Sequence, residues 1–228
     1  MIAYSIIINM KVIVCYGDSN TWGYKPEKVP PEPGFSRFGY NERWPGRLQM
    51  HLGADYKIEE EGLSGRTTAF EDPFNPNLNG LKFIDCCLTI KSPLDLLIIA
   101  LGTNDTKEYF SVSAFHIAMG LEQLILKALS GQYGPNGKEP EILIISPPPI
   151  RDSISEKWTG QIFGKGALEK SKAISKEYQK IARKHHCHFL DMALLVECSD
   201  IDGVYLDAAN HDKFAKAIHK KICEIMEA

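Results

Sequence analysis

The sequence lacks the marks of secreted, membrane and polyanion-binding proteins. Its early apolar stretch, at residues 6–8, is broken by Asn9 and has neither a basic leader nor a small-residue cleavage site. No run approaches the roughly 20 apolar residues that a membrane span needs. The net charge is −3, from 26 basic and 29 acidic residues, and offers no attraction to nucleic acid or anionic lipid. We therefore expect no signal peptide, no membrane contact and no nucleic-acid partner.

Disulfide, metal and nucleotide signatures are also missing. The six cysteines have no C-x-x-C spacing, so a reducing compartment fits best and we expect a cytoplasmic protein. The stretch 185–188 has metal-ligating residue types, but it spans a predicted helix end and strand start, so its side chains would diverge. The turn at residues 17–19 is followed by neither G-x-G-x-x-G nor a Walker lysine. We predict no metal and no cofactor.

What remains is the composition of an ordinary folded protein, with 44% hydrophobic and 24% charged residues. A length of 228 residues favours one large domain, and no repeat or low-complexity segment divides it. We treat residues 1–228 as a single domain. Because Met10 and Lys11 open the first convincing strand, residues 1–9 are interpreted as an alternative-start extension or, equally, as an extra edge strand.

Short β-branched runs alternate with segments of helical period along the chain. Continuous apolar runs predict buried strands at residues 12–15, 96–100 and 142–145, and weaker strands are expected at 57–60 and 188–190. Helical spacing of apolar residues predicts helices over residues 118–128, 168–181 and 214–225. This alternation is typical of a three-layer α/β/α fold with a parallel sheet of about five strands.

Ligands of such sheets bind beyond the carboxyl ends of the strands, where this sequence carries its most informative residues. Ser19 follows the first strand, Gly65 the second and Asn104 the third. Acyl transfer by a serine needs a base and donors aimed at the developing oxyanion. The Ser19 hydroxyl, the backbone N–H groups of Ser19 and Gly65, and the Asn104 amide would meet this need at one sheet edge.

These motifs resemble those of the SGNH (GDSL) hydrolases, which are flavodoxin-like α/β esterases without a cofactor. Residues 17–19, 63–68, 102–105 and 202–204 are similar to four of the family's sequence blocks. Stretches at 17–23, 43–46, 60–68 and 146–149 are similar to the arylesterase and acetylesterase branch, which acts on short acyl groups. The resemblance implies Ser19 as nucleophile, the Ser19, Gly65 and Asn104 groups as oxyanion donors, and Asp202 as the acid that orients the base.

The base itself is missing from its expected place. The family has its catalytic histidine three residues after the aspartate, and here that residue is Tyr205. A neutral tyrosine, whose ordinary pKa is about 10, does not accept a proton at pH 7. His211 stands six residues further on, near the start of the last helix, and we interpret it as a surface residue rather than a replacement base.

Two explanations of Tyr205 stay open at this point. It is a chance or engineered substitution in an otherwise active enzyme, or a natural residue of a weak esterase or of an acyl or sugar binding protein. We expect a serine esterase acting on small acetyl or aryl esters with impaired activity; the alternative is a non-catalytic acyl or carbohydrate binder. Related arylesterases form closed homo-oligomers, and the long segments 25–43 and 130–140 favour the same here.

Two further side chains near the predicted site have open roles. Trp22, three residues after Ser19, is placed either in the core or in the wall of an acyl pocket. Arg66, beside Gly65, either binds a polar leaving group or anchors its loop.

Overall fold

The computed structural model describes residues 10–30 and 36–226. The segment 1–9, interpreted above as an extension or edge strand, lies outside the described residues. Five strands form one sheet: β1 (Lys11–Gly17), β2 (Tyr56–Gly62), β3 (Leu96–Ala100), β4 (Glu141–Ser146) and β5 (His188–Asp191). Both strands that the sequence indicates only weakly, β2 and β5, are present.

The strand order is β2-β1-β3-β4-β5, and every neighbouring pair is parallel. The predicted five-strand parallel sheet is confirmed. β1 lies between β2 and β3, with Gly17 paired to Gly62 on one side and to Ala100 on the other. The three segments that follow these strands therefore leave the sheet side by side.

Seven helices connect and cover the strands within the described residues. They are α1 (Ser19–Trp22), α2 (Trp44–Leu52), α3 (Gly80–Lys91), α4 (Ala114–Ser130), α5 (Trp158–Phe163), α6 (Ala167–Lys184) and α7 (Ala208–Met226). The helix α5 is one of the helices that the sequence patterns do not predict. Its six residues make fewer than two turns, too few for apolar periodicity to show.

Alternate side chains of the strands enter two separate cores, as the two-residue period of a strand requires. Val14, Leu97 and Ile144 pack beneath α3, α4 and α6. Ile13, Ile98 and Leu143 face the opposite side, where α2 and α7 supply the partners. Both faces of the sheet are thus covered, which gives the three-layer arrangement that parallel sheets require.

The six cysteines are all free thiols and differ in burial. Cys87 is buried, whereas Cys86 is exposed, because neighbouring residues of α3 point in different directions. Over residues 10–30 and 36–226, none of the helices has the length and apolar character to cross a membrane.

The core makes a direct prediction about stability. Ile98 is fully buried in the centre of β3, so Ile98→Ala should lower the free energy of unfolding by about 2 to 5 kcal/mol. Ile90 on α3 is 71% exposed, and Ile90→Ala should change it by less than about 0.5 kcal/mol. Chemical denaturation of both variants measures the difference. Equal losses of unfolding free energy in the two variants would contradict the burial of Ile98 and the exposure of Ile90.

Candidate active site

Ser19 stands at the end of β1, in a turn that we call the Ser19 turn (residues 17–23). Asp18 caps the short helix α1, its Oδ1 accepting the Asn20 N–H at 3.0 Å. Ser19 is the first residue of α1 and is 6% exposed. No hydrogen bond engages its Oγ within the described part of the chain. The Ser19 hydroxyl therefore lies close to the surface and is available to a substrate.

Gly65 lies in the loop after β2 with φ of +89°, a backbone conformation that side-chain-bearing residues rarely adopt. The next residue, Arg66, is buried and donates from Nη1 to the carbonyl oxygens of Gly17, at 3.0 Å, and Glu61. Its guanidinium lies over the Tyr16 ring, 4.1 Å from the centroid. Of the two roles considered for Arg66, these contacts support the loop anchor. Arg66 ties the Gly65 loop to the end of β1.

Asn104 begins the single turn that follows β3 and donates from Nδ2 to the Arg66 carbonyl at 3.1 Å. The adjacent Asp105 Oδ1 accepts both the backbone N–H of Thr68, at 2.9 Å, and its hydroxyl, at 2.6 Å. The loops after β2 and β3 are thereby joined. The structure brings Ser19, Gly65 and Asn104 to one edge of the sheet, as the sequence predicts.

Buried charges surround this edge. Burial, reinforced by the Asp105 charge, raises the pKa of Asp18 to about 7. Burial likewise raises the pKa of Asp105 to about 6, although the two bonds from Thr68 oppose it. Burial lowers the pKa of Lys107, whose Nζ lies 3.9 Å from Asp72 Oδ2. Both carboxyl groups accept backbone N–H groups, Asp18 one at the start of α1 and Asp105 one in the loop after β2.

Asp202 is buried in the C-terminal loop, which we define as residues 199–206. Its Oδ1 accepts the N–H groups of Val204 and Tyr205, each at 2.9 Å, and its Oδ2 accepts the Glu27 N–H at 3.2 Å. Burial raises the pKa of Asp202, and these three N–H donors partly offset the effect. The carboxylate therefore organises backbone from two segments of the chain.

Tyr205 packs its ring between an aromatic neighbour and a small apolar cluster. It stacks on Tyr24 with ring centroids 4.2 Å apart. Its other contacts are with the cluster formed by Ile150, Ile154, Phe163, Ala167 and Val204. Burial, with smaller contributions from Tyr24 and Asp202, raises the pKa of the Tyr205 phenol above its ordinary value. The phenol stays protonated at neutral pH and is no proton acceptor.

Asn20 links the C-terminal loop to the Ser19 turn, a contact that sequence reasoning missed. Its Oδ1 accepts the Leu206 N–H at 2.9 Å, and its Nδ2 donates to the Val204 carbonyl at 3.4 Å. These two residues flank Tyr205, so Asn20 brings position 205 alongside the turn that carries Ser19. The one sequence signal is a polar residue next to Ser19; its partners are 184 and 186 positions away.

His211 is not the surface residue expected from its place in the first turn of α7. It is 0% exposed, its Nδ1 accepts the Trp44 N–H at 3.3 Å, and its ring meets the edge of Phe38. Its Nε2 is buried and finds no hydrogen-bond partner among the described residues. Burial lowers the His211 pKa to about 3. The ring belongs to the contact between α7 and the start of α2, which supports the interpretation that it does not replace the base.

The remaining candidates have ordinary structural partners. Trp22 is half-buried beneath Arg37, whose guanidinium lies 4.7 Å from the ring centroid. His185 contacts Glu122 at 2.5 Å, whereas His188 contacts Glu141 at 3.0 Å. The two histidines therefore contact different acidic partners and do not point toward each other's ligand. The part of the chain that the structure describes contains no cluster of three potential metal ligands.

Comparison with known proteins decides the family. The family model of the GDSL-like lipase/acylhydrolases matches residues 15–219, which include the Ser19 turn, the Gly65 and Asn104 loops and the C-terminal loop. The chain belongs to this family. The match confirms the resemblance drawn from the sequence motifs. A comparison of this GDSL-family chain with curated proteins found no match.

Several solved structures similar to this GDSL-family chain are named as esterases. The native aryl esterase of M. smegmatis is 36% identical with a TM-score of 0.88, covering 94% of this chain and 99% of its own. Est24, a carbohydrate acetylesterase from Sinorhizobium meliloti, gives the same identity, coverage and TM-score. A putative arylesterase from Agrobacterium tumefaciens is 32% identical with a TM-score of 0.83, covering 95% of this chain and all of its own. The fold is therefore that of the family's hydrolases.

The buried His211 makes stability depend on pH. Its pKa of about 3 in the folded protein lies below the ordinary value of about 6.5, so the unfolded chain binds the extra proton between these limits. The contribution of neutral His211 is fully present above pH 6.5 and is lost as the pH falls toward 3. At pH 5 we expect a loss of about 2 kcal/mol from this group.

Denaturation of the parent and of His211→Gln between pH 7 and pH 4 measures this contribution. Glutamine does not titrate, so the variant should lose less unfolding free energy on acidification than the parent. His51→Gln, at an exposed position of α2, is the matched control and should keep the parent's pH dependence. Parallel curves for the parent and His211→Gln would contradict the burial of a neutral imidazole.

Proposed function

We propose that this chain is a serine esterase for small acetyl or aryl esters, and that it works slowly because Tyr205 stands where the base belongs. The observation that carries the proposal is the convergence of Ser19, Gly65 and Asn104 at one sheet edge, with Asn20 holding position 205 beside them. Similarity to an aryl esterase and a carbohydrate acetylesterase supports the substrate class.

The proposed reaction has two steps. Ser19 Oγ attacks the ester carbonyl and loses its proton, the alcohol leaves with a proton, and water then hydrolyses the acyl-Ser19 bond to give the free acid. The N–H groups of Ser19 and Gly65 and the Asn104 amide would stabilise the oxyanion of each tetrahedral intermediate. Asn104 gives one N–H to the Arg66 carbonyl, and its second amide hydrogen remains for the substrate.

The missing base limits the first step. Tyr205 stays protonated because burial raises its pKa, so the Ser19 proton must pass to solvent. In a comparable triad enzyme, the oxyanion hole and substrate binding alone leave roughly 10³ to 10⁴ fold acceleration over water. We expect turnover of that order in the parent protein, well below that of a complete triad.

Restoring an imidazole tests the proposal. Tyr205→His should raise kcat/KM for a chromogenic acetate ester by about 10² to 10⁴ fold, the usual contribution of a positioned general base. We expect this gain because the Asp202 carboxylate is retained. Its Oδ1 accepts the backbone N–H of residue 205 and its Oδ2 accepts the Glu27 N–H, so the carboxylate lies close to position 205. Adding Ser19→Ala to Tyr205→His should abolish the gain, because nucleophile and base act as a unit.

Two results would contradict the esterase. Equal rates in Tyr205→His and in the double variant Tyr205→His with Ser19→Ala would show that Ser19 does no chemistry. A Tyr205→His variant no faster than the parent would show that position 205 is not the base position. The alternative function, a non-catalytic acyl or carbohydrate binding protein, is then favoured if calorimetry shows that the parent binds an aryl acetate or acetylated sugar without hydrolysing it. The stack of Tyr24 on Tyr205 would provide the aromatic surface for such a ligand.

The wider organisation of the protein belongs to the same proposal. We infer one hydrolase domain, a cytoplasmic location consistent with six free thiols, and a homo-oligomer formed through segments 25–43 and 130–140. Sizing chromatography should show a species several times the 25.6 kDa of the chain. A single peak at 25.6 kDa would remove the oligomer without affecting the chemistry proposed for Ser19.

A further inference from the structure

We propose that Asn20 is a positioning residue of the active site, which fixes residue 205 opposite Ser19 through the backbone on both sides of it. This inference rests on the esterase function proposed above and deepens it, because it assigns a role to a residue outside the nucleophile, oxyanion donors and acid.

Residue 205 is held by two hydrogen bonds of its own backbone and by two that Asn20 makes to the residues on either side of it. The Tyr205 N–H donates to Asp202 Oδ1 at 2.9 Å, and the Tyr205 carbonyl accepts the Ser199 N–H at 2.8 Å. Both of these stay within the C-terminal loop and give it its shape. The other two run to Asn20, one from each residue that flanks 205, and connect the loop to the Ser19 turn.

Asn20 is suited to this task by its chemistry and its burial. Its amide offers an acceptor and a donor in one rigid plane, and it uses the acceptor on the Leu206 N–H and the donor on the Val204 carbonyl. It is 8% exposed, so water competes little for these bonds. Its own N–H is held by Asp18, which also precedes Ser19. One side chain thus ties the position of the base to the position of the nucleophile.

The geometry of a base relative to its serine determines how fast the proton moves, and a displacement of about 1 Å costs on the order of 10² fold in rate. Asn20→Leu keeps the approximate volume but leaves the Leu206 N–H and the Val204 carbonyl without their partner. The C-terminal loop should then shift relative to Ser19. Asn20→Asp keeps the acceptor for the Leu206 N–H, the shorter of the two bonds.

The experiment compares kcat and KM for a chromogenic acetate ester in the Tyr205→His background. Adding Asn20→Leu should lower kcat about 10 to 100 fold with KM changed less than about twofold, because ground-state binding does not depend on the base. Adding Asn20→Asp should recover most of the lost kcat. Thr21→Val, a change of similar shape in the same buried turn, is the control; no hydrogen bond engages the Thr21 hydroxyl among the described residues, so kcat should stay within about twofold.

A second measurement separates this inference from the esterase proposal. In Tyr205→His, the nearby Asp202 carboxylate should raise the imidazole pKa above about 6.5, and adding Asn20→Leu should return it toward that value. Nuclear magnetic resonance of the imidazole measures both without any turnover. If Tyr205→His is inactive, the esterase proposal fails while the pKa comparison still decides the role of Asn20.

Three results would overturn the inference. An unchanged kcat with Asn20→Leu would show that the link does not position the base, and equal losses with Asn20→Leu and Thr21→Val would show a general effect on the turn. An imidazole pKa that is the same with and without Asn20 would show that the loop keeps its place unaided. If Asn20→Leu does not fold, Asn20→Ala, which also removes both hydrogen bonds, carries the same comparison.

Discussion

The in-register pairing of β1 with both of its neighbours is the constraint on which the site depends. Gly17 pairs with Gly62 and with Ala100, so three strands end at the same level. The chain therefore leaves the sheet at three adjacent points, and each exit carries a residue of the candidate site. Hydrogen bonds of Arg66 and Asp105 then join the three segments that follow these strands. A shift of one residue in either pairing would displace Ser19 relative to Gly65 or Asn104.

The hydrogen bonds that hold the C-terminal loop do not use the side chain of residue 205. Asp202 is satisfied by three backbone N–H groups, and its loop is held to the Ser19 turn by Asn20. None of these bonds involves the side chain at position 205. That side chain instead fills space between Tyr24 and an apolar cluster. The loop is thus built the same way whether the ring at 205 is a phenol or an imidazole.

Local patterns explain why much of the fold was predictable. The apolar runs of β3 and β4 follow from burial on both faces, and the family motifs give Ser19, Gly65 and Asn104 because these residues lie directly after strands. The failures involve contacts between distant segments. His211 looked exposed because its helix begins there, but α2 covers it through Trp44. For Asn20 the sequence offers only its place next to Ser19, since its two partners lie at the other end of the chain.

The independence of the C-terminal loop from residue 205 has a genetic consequence. Tyrosine and histidine codons differ by a single pyrimidine transition in the first base, so one point mutation interconverts them. Because Asp202, Ser199 and Asn20 hold the backbone of residue 205, that mutation would meet little structural resistance in either direction. A change at this codon would therefore alter the side chain at position 205 while the hydrogen bonds that hold the loop backbone remain.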